Sequence, residues 1–345
     1  MTAQRARRAR RAARDAAPAI SACMIVRDEA RVLSRCLRSL EGAYDELCIV
    51  DTGSTDATLD IARKAGAQTA VFTACNGADG KIEDFAAARN AALALATGDW
   101  ILQIDADEVL GPGGAVRFRR HTRDPAASAV SITMRSGAVH WLSTRLFRRA
   151  GARYVSRIHE YVDLEAGGEV VDRQIRITNL PDKRGKESAG ERNTRLLRRE
   201  LAEHPDNARA LFQLGNELRS AGQLDEAIAS YRRSLELGTY HYAVFIGRYY
   251  LAVCHLLQGD WDQAIAVAID ALRIDARYAE AHCLLGDAYF ARGQLAQARQ
   301  WYRSALVCGA PPVTPMVVQA WAYGAYPRKR LRMVARAMRL PAEPS

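Results

Sequence analysis

Two aspartates one residue apart, Asp105 and Asp107, close a short apolar run, Trp100-Ile101-Leu102-Gln103-Ile104, and Glu108 follows them. A run of that length, entered from Gly98-Asp99, reads as a buried strand. The pair then stands at a strand's carboxyl end, where open α/β sheets bind their ligands. Two carboxylates there can hold a hard divalent cation, and the cation can neutralise phosphates. An acidic strand-to-loop turn is the plainer alternative. The segments on either side decide between the two.

Those segments supply the elements that must position the pair. Ile20 to Val26 is another buried-strand run, with Arg27-Asp28-Glu29 at its carboxyl end. Val32, Leu33, Cys36, Leu37 and Leu40 then recur at helical spacing, with Asp28 as the expected N-cap. Leu47 to Val50 is a third run, ending in Asp51-Thr52-Gly53-Ser54-Thr55-Asp56, and a helix is expected from Ser54 or Thr55 to Gly66. Gln68 to Phe72 reads as a strand, a polar loop runs to about Lys81, and an Ala-rich helix from about Asp84 to Ala96 carries one interior charge, Arg89. This alternation of strand and helix at short spacing predicts an α/β domain with a mostly parallel sheet. Three polar clusters fall on one rim: Arg27 to Glu29, Asp51 to Asp56, and Asp105 to Asp107. A carboxylate there can accept from a base edge or a ribose hydroxyl. The Gly53-Ser54-Thr55 turn opens a helix whose free N–H groups suit an anion or close packing. The absence of Gly-x-Gly-x-x-Gly and of Gly-Lys-Ser/Thr argues against the usual dinucleotide fold and against a phosphate-loop NTPase.

Residues 20–110 resemble the nucleotide-binding half of family-2-type glycosyltransferases of the GT-A fold. The resemblance rests on four blocks in order: Cys23 to Glu29, Val50 to Asp56, Phe85 to Asn90, and Ala96 to Trp100 leading into Asp105-Ala106-Asp107-Glu108. It implies a UDP-sugar donor held with Mn²⁺ or Mg²⁺. By that resemblance Asp51 contacts the uracil, and Arg89 lies near the base and diphosphate. Asp105 serves the ribose or a water-mediated contact, and Asp107 is the metal ligand. Val26, Arg27, Glu29, Ser54, Asn90 and Ala106 complete the donor pocket, although Ser54, like Thr52, reads first as a turn former.

The acceptor half carries less signal. Ala129 to Met134 reads as a strand, Ser136 to Trp141 as a loop, and Arg145-Leu146-Phe147-Arg148 and Arg157-Ile158-His159-Glu160 as short blocks of the same family. Inverting transfer needs a general base to deprotonate the acceptor. We assign Glu160 as that base and His159 as a metal or phosphate contact, with Asp163 a further carboxylate candidate. In a strand, His159 and Glu160 would point to opposite faces. The family branch often carries His-x-Gly-Tyr after the last strand of this half. Here Arg176 to Pro181 stands in that place, and Asn179 is the substitute. That departure motivates a second reading, a non-catalytic nucleotide-sugar-binding scaffold.

From Leu211 onward the chain repeats itself, with Gly222, Gly259 and Gly293 at spacings of 37 and 34, the tetratricopeptide period. Such an array usually offers a peptide-binding surface or braces its neighbour. Trp321 to Leu340 reads as a capping helix with a basic outer face. The expected order is a basic tail (1–19), a GT-A transferase domain (20–186), an all-α repeat domain (187–310), and a capping helix with basic tail (311–345). The expected partners are the nucleotide-sugar donor, a peptide, protein or saccharide acceptor, and a protein on the repeats, with homo-oligomer formation open.

The formal charge of +10 is concentrated at the ends. Residues 1–19 hold six Arg and one Asp, and residues 328–345 hold six basic side chains and one Glu, so each end carries +5 and the middle sums to zero. No specific nucleic-acid binding is expected, although each end suits an acidic surface such as a membrane. The start lacks an apolar signal-peptide core. Seven scattered cysteines without Cys-x-x-Cys suggest reduced thiols in a cytoplasmic protein.

Overall fold

The computed structural model describes residues 17–137, 139–164, 167–182, 184, 187–238, 241–309 and 319–339. The Arg-rich start, Pro311-Pro312, and Lys183, Gly185 and Lys186 lie outside the described residues. The chain divides into two compact units, residues 1–186 and 187–345.

The first unit is built on an eight-stranded sheet. Its strands are β1 (Ile20–Val26), β2 (Glu46–Asp51), β3 (Gln68–Val71), β4 (Trp100–Gln103), β5 (Glu108–Leu110), β6 (Ala127–Ser136), β7 (Val139–Arg148) and β10 (Gly168–Asn179), in the order β3-β2-β1-β4-β7-β6-β10-β5. β3, β2, β1 and β4 are parallel, as are β6 and β10, while β7 runs antiparallel to both its neighbours and β5 antiparallel to β10. The helices are α1 (Leu33–Ser39), α2 (Thr58–Lys64), α3 (Phe85–Leu95) and α4 (Gly114–His121). Strand β1 is apolar apart from Ser21 because both its faces are covered. Ile20, Ala22, Met24 and Val26 enter one core with Leu33, Cys36, Trp100 and Leu102, and Cys23 enters the other with Ala86 and Ala92 of α3. Val26 pairs with Asp51, and Cys23 with Gln103, so the carboxyl ends of β1, β2 and β4 share one rim.

Local expectations shift at the loops. Asp28 does not cap α1; Val32 holds that position without a side-chain bond. Asp28 instead takes φ 52°, and its Oδ1 accepts from Thr55 N at 2.7 Å. This tie occupies the segment expected to begin the next helix, which starts only at Thr58. Ser136 to Trp141 is not a loop. Val139 opens β7, and the hairpin turns at Gly137 with φ 58°. His159 and Glu160 lie between β8 (Arg153–Val155) and β9 (Tyr161–Asp163), His159 at φ 52°, so strand alternation does not govern them.

The second unit is helical: α5 (Ala189–Glu203), α6 (Ala208–Ser220), α7 (Leu224–Leu237), α8 (His241–Gln258), α9 (Trp261–Ile274), α10 (Ala279–Ala291), α11 (Leu295–Val307) and α12 (Ala325–Ala337). Helices α6 to α11 pack as three successive pairs, α6 with α7, α8 with α9 and α10 with α11. The small residues recur where pairs approach most closely. A Cβ on Gly286 would lie 2.5 Å from Tyr302 Cε1, and one on Gly215 would lie 2.7 Å from Tyr231 Cε1. His255 and His282 are buried packing residues, His282 Nε2 meeting the Ala276 carbonyl at 2.9 Å. The capping helix is shorter than its sequence pattern. Trp321 belongs to a 3-10 turn, Ala320–Tyr323, and Gly324 separates it from α12. No helix among the described residues is long and apolar enough to cross a membrane, and all seven cysteines are free thiols.

Candidate active site

The rim is first stiffened by reciprocal bonds between the loops after β1 and β2. Asp28 N donates to Ser54 Oγ at 2.9 Å, Glu29 N to Thr58 Oγ1 at 2.7 Å, and Ala30 N to Asp56 Oδ2 at 3.1 Å. Each side-chain acceptor takes a backbone donor that the tight turn leaves unpaired. Ser54 is therefore spent on the turn. Arg27 reaches across to donate to the Gly80 carbonyl, and Asn76 Nδ2 donates to Thr52 O at 2.7 Å, so the loop after β3 walls the same cleft.

Asp51 sits inside this frame, 1% exposed. Its Oδ1 accepts from Gly53 N at 2.5 Å and Ser54 N at 2.7 Å. Its Oδ2 is buried and has no hydrogen-bond partner among the described residues. A buried acceptor without a partner costs about 1–3 kcal/mol. A bound N–H donor would recover that cost.

The second half of the site is a charge cluster around the Asp-x-Asp segment. Arg89, on the first turns of α3, is 8% exposed. Its Nε donates to Glu160 Oε1 at 2.5 Å, and its Nη1 lies 3.0 Å from Asp105 Oδ1. Arg145 of β7 donates through Nη2 to Glu108 Oε1 at 2.7 Å, with Nη1 3.9 Å from Asp105 Oδ2. With its amide oxygen turned toward the arginines, Gln103 accepts from Arg145 Nη1 at 3.1 Å and Arg89 Nη1 at 3.2 Å. Glu108 Oε2 accepts from Asp105 N at 2.8 Å, which fixes the backbone of the acidic turn. Burial works to raise the Asp105 carboxyl, but Arg89 and then Arg145 hold it below the ordinary carboxylate range. Burial pushes the Glu108 carboxyl up to about 7, Arg145 opposing it. The same burial would lower Arg89, yet Asp105 and Glu160 keep it firmly charged.

The other expected residues divide by what they expose. Val26 and Ala106 are 3% exposed and belong to the core, so only their backbone can meet a ligand. Asn90 spends both ends of its amide on Tyr154, Nδ2 to O at 2.9 Å and Oδ1 from N at 2.8 Å, and thereby clamps β8 to α3. Glu29 N is bonded to Thr58, and its side chain is half-buried at the rim. Asp107 is half-buried, and its carbonyl accepts from Leu180 N at 2.9 Å. Asn179 pairs with Glu108 across β10 and β5, and its buried Oδ1 has no hydrogen-bond partner among the described residues. Asp163 stands on β9. Glu160 is held against Arg89 by the β8–β9 hairpin, which Phe85 N anchors through the Arg157 carbonyl at 2.9 Å. The pairing of Glu108 with Arg145 was not expected. Its one signal in sequence was an arginine in the Arg145-Leu146-Phe147-Arg148 block.

A Mn²⁺ or Mg²⁺ ion would rest on few protein atoms here. Among the described residues no three His, Cys, Asp or Glu side chains gather closely enough to hold a metal. Such ions commonly take one or two carboxylates and complete their shell with substrate phosphates and water. Asp107, whose carbonyl accepts from Leu180 N next to Asn179, is a carboxylate that fits that mode.

Comparison with known proteins follows the same division. The model of "Glycosyl transferase family 2" matches residues 21–189, and a tetratricopeptide-repeat model matches 194–242, 212–277 and 255–312. A TPR repeat-containing protein of Synechococcus elongatus is 37% identical over 313 residues, 85% of this chain and 76% of that protein. The SPbeta prophage-derived glycosyltransferase SunS of Bacillus subtilis is 25% identical over 63% of this chain, which spans about half (53%) of SunS. An uncharacterized glycosyltransferase of Rickettsia felis is 36% identical over 26% of this chain and 29% of its own. Residues 21–189 are a glycosyl transferase family 2 domain of GT-A-type α/β architecture, and tetratricopeptide repeats follow it. The chain is a glycosyltransferase in the general sense of that family.

Proposed function

We propose that the protein is an inverting, metal-dependent glycosyltransferase that moves a sugar from a UDP-sugar to an acceptor chosen partly by the repeats. The observation that carries the reading is the unpartnered, buried Oδ2 of Asp51 at the strand-end rim. It suits the imide N–H of a uracil. Arg27, Glu29 and the turn at Ser54 frame that base site. Asp105 lies beyond it for the ribose, and Asp107, with Asn179 or His159, would hold the metal.

When bound, the ion supplies positive charge against the diphosphate. The chain's own residues do the rest. Glu160 accepts the acceptor's proton through Oε2, since Oε1 is bound by Arg89. Arg89 joins Glu160 to Asp105, so it fixes the distance between base and donor site in place of clamping the diphosphate alone. The expected acceptor is a peptide, protein or saccharide, and the expected compartment is the cytoplasm.

A thermal-shift screen of nucleotide sugars, with and without Mn²⁺, tests the donor assignment. A ligand bound only by the native state raises its apparent stability. Uridine diphosphate sugars should raise the transition more in Mn²⁺ than in a chelator. A flat response to every UDP-sugar would remove the assignment.

A further inference from the structure

Helix α12 carries a segregated charge pattern that sugar transfer does not use. Between Ala288 and Arg339 the chain has nine basic residues and no Asp or Glu. On α12 and the turn after it, Arg328, Lys329, Arg332, Arg336 and Arg339 are exposed. At about 100° per residue the four on the helix, Arg328, Lys329, Arg332 and Arg336, fall within an arc of roughly 100°. Leu331, Val334 and Ala335, outside that arc, are buried, Leu331 and Val334 packing on Tyr302 and Ala298 of α11. None of the five exposed cations forms an ion pair among the described residues. The acidic group nearest this helix, Asp287, is taken by Arg330 at 3.0 Å and by the Tyr302 and Tyr326 hydroxyls.

We propose that this face docks the protein on an anionic lipid surface. The helix already buries its apolar side, so it would lie along the surface without inserting. Two exposed apolar side chains border the basic arc. Met333 is 39% exposed, and Trp321, 43% exposed, packs edge-on against Tyr326 on the Met333 side. Trp and Met suit the headgroup boundary beside a basic stripe. The same Trp is ill placed to stack a nucleic-acid base, because its ring rests on Tyr326 and its Nε1 donates to Gln319 Oε1 at 3.1 Å. Each cation near an anionic bilayer counts for roughly fivefold in partitioning, and the attraction fades with salt.

The test is co-sedimentation of the full-length protein with phosphatidylcholine vesicles, alone or containing about 30% phosphatidylglycerol, at low and raised salt. The variant replaces Arg328, Lys329, Arg332 and Arg336 by Gln; these exposed sites leave the thermal transition in place. A second variant replaces the six Arg of residues 1–19 by Gln, which separates the helix from the basic start. The expected result is binding to anionic vesicles only, weakened by salt, reduced at least about tenfold in the helix variant and retained in the tail variant. The proposal is overturned if the helix variant binds as tightly as wild type or if neutral vesicles bind equally. It is also overturned if the helix variant loses single-stranded RNA while keeping vesicles.

Discussion

Replacing Arg89 by Met removes the cation that Asp105 and Glu160 share. The side chains of Arg89 and Glu160 are 9% and 11% exposed and 2.5 Å apart, so the variant strands a buried carboxylate. Breaking such a pair from one side costs about 3–5 kcal/mol. Asp105 adds little, because it is 32% exposed and keeps Arg145 at 3.9 Å. At about 1.4 kcal/mol per tenfold, protected amides of β1 and β4 should exchange roughly a hundredfold to a few thousandfold faster at pH 7. Hydrogen exchange with mass spectrometry reads this locally, apart from the helical unit. The pH dependence has a fixed sign. Arg89 depresses the folded Asp105 carboxyl. Its stabilisation is therefore complete above the unfolded value near 3.9 and is lost as pH falls through the depressed folded value. The deficit of Arg89→Met should therefore narrow in acid, below about pH 4. Adding Glu160→Gln should recover much of the loss, since no buried charge is then left alone. Less than a tenfold change in exchange at pH 7, or a deficit that widens in acid, would refute the shared-cation reasoning.

Three further outcomes follow from the same geometry. Asp51→Asn keeps an oxygen for Gly53 N and Ser54 N but turns the unpartnered acceptor into a donor; UDP affinity by calorimetry should fall about 10- to 100-fold, at roughly 1.5–3 kcal/mol for a hydrogen bond to a charged group. Glu160→Gln should lower kcat by about 10²–10⁴ with little change in donor KM, as removal of a general base does; an unchanged kcat would move the base elsewhere. Gly286→Ala drives a Cβ into the Tyr302 ring, and thermal unfolding should report a loss of about 1–3 kcal/mol, with Gly215→Ala behaving alike against Tyr231.

The parallel strands were legible because each is a short apolar run covered on both faces, and Ile20–Val26 emerged with its ends unchanged. The start of the Ala-rich helix near Asp84 was legible as well, and Asp84 proves to cap it locally, its Oδ1 accepting from Ala87 N at 2.8 Å. The repeat glycines announced themselves through spacing. The charge cluster was not legible, because its bonds join residues far apart in sequence: Arg89 with Glu160 and Arg145 with Glu108. Asp28 misled for the same reason. Its carboxylate prefers the Thr55 amide across the rim to the start of its own helix, and it accepts a left-handed backbone to reach it. The Asn90 clamp was not legible either, because its partner Tyr154 on β8 is far along the chain.

The account stands most directly on one measurement: UDP released from a panel of UDP-sugars in Mn²⁺ by wild type and by Asp107→Ala, in the presence of candidate peptide and saccharide acceptors. Release by wild type, abolished by chelation and reduced at least about a hundredfold in Asp107→Ala, is the expected result. UDP release no greater than the variant's, or release indifferent to both metal and Asp107, would contradict the central claim.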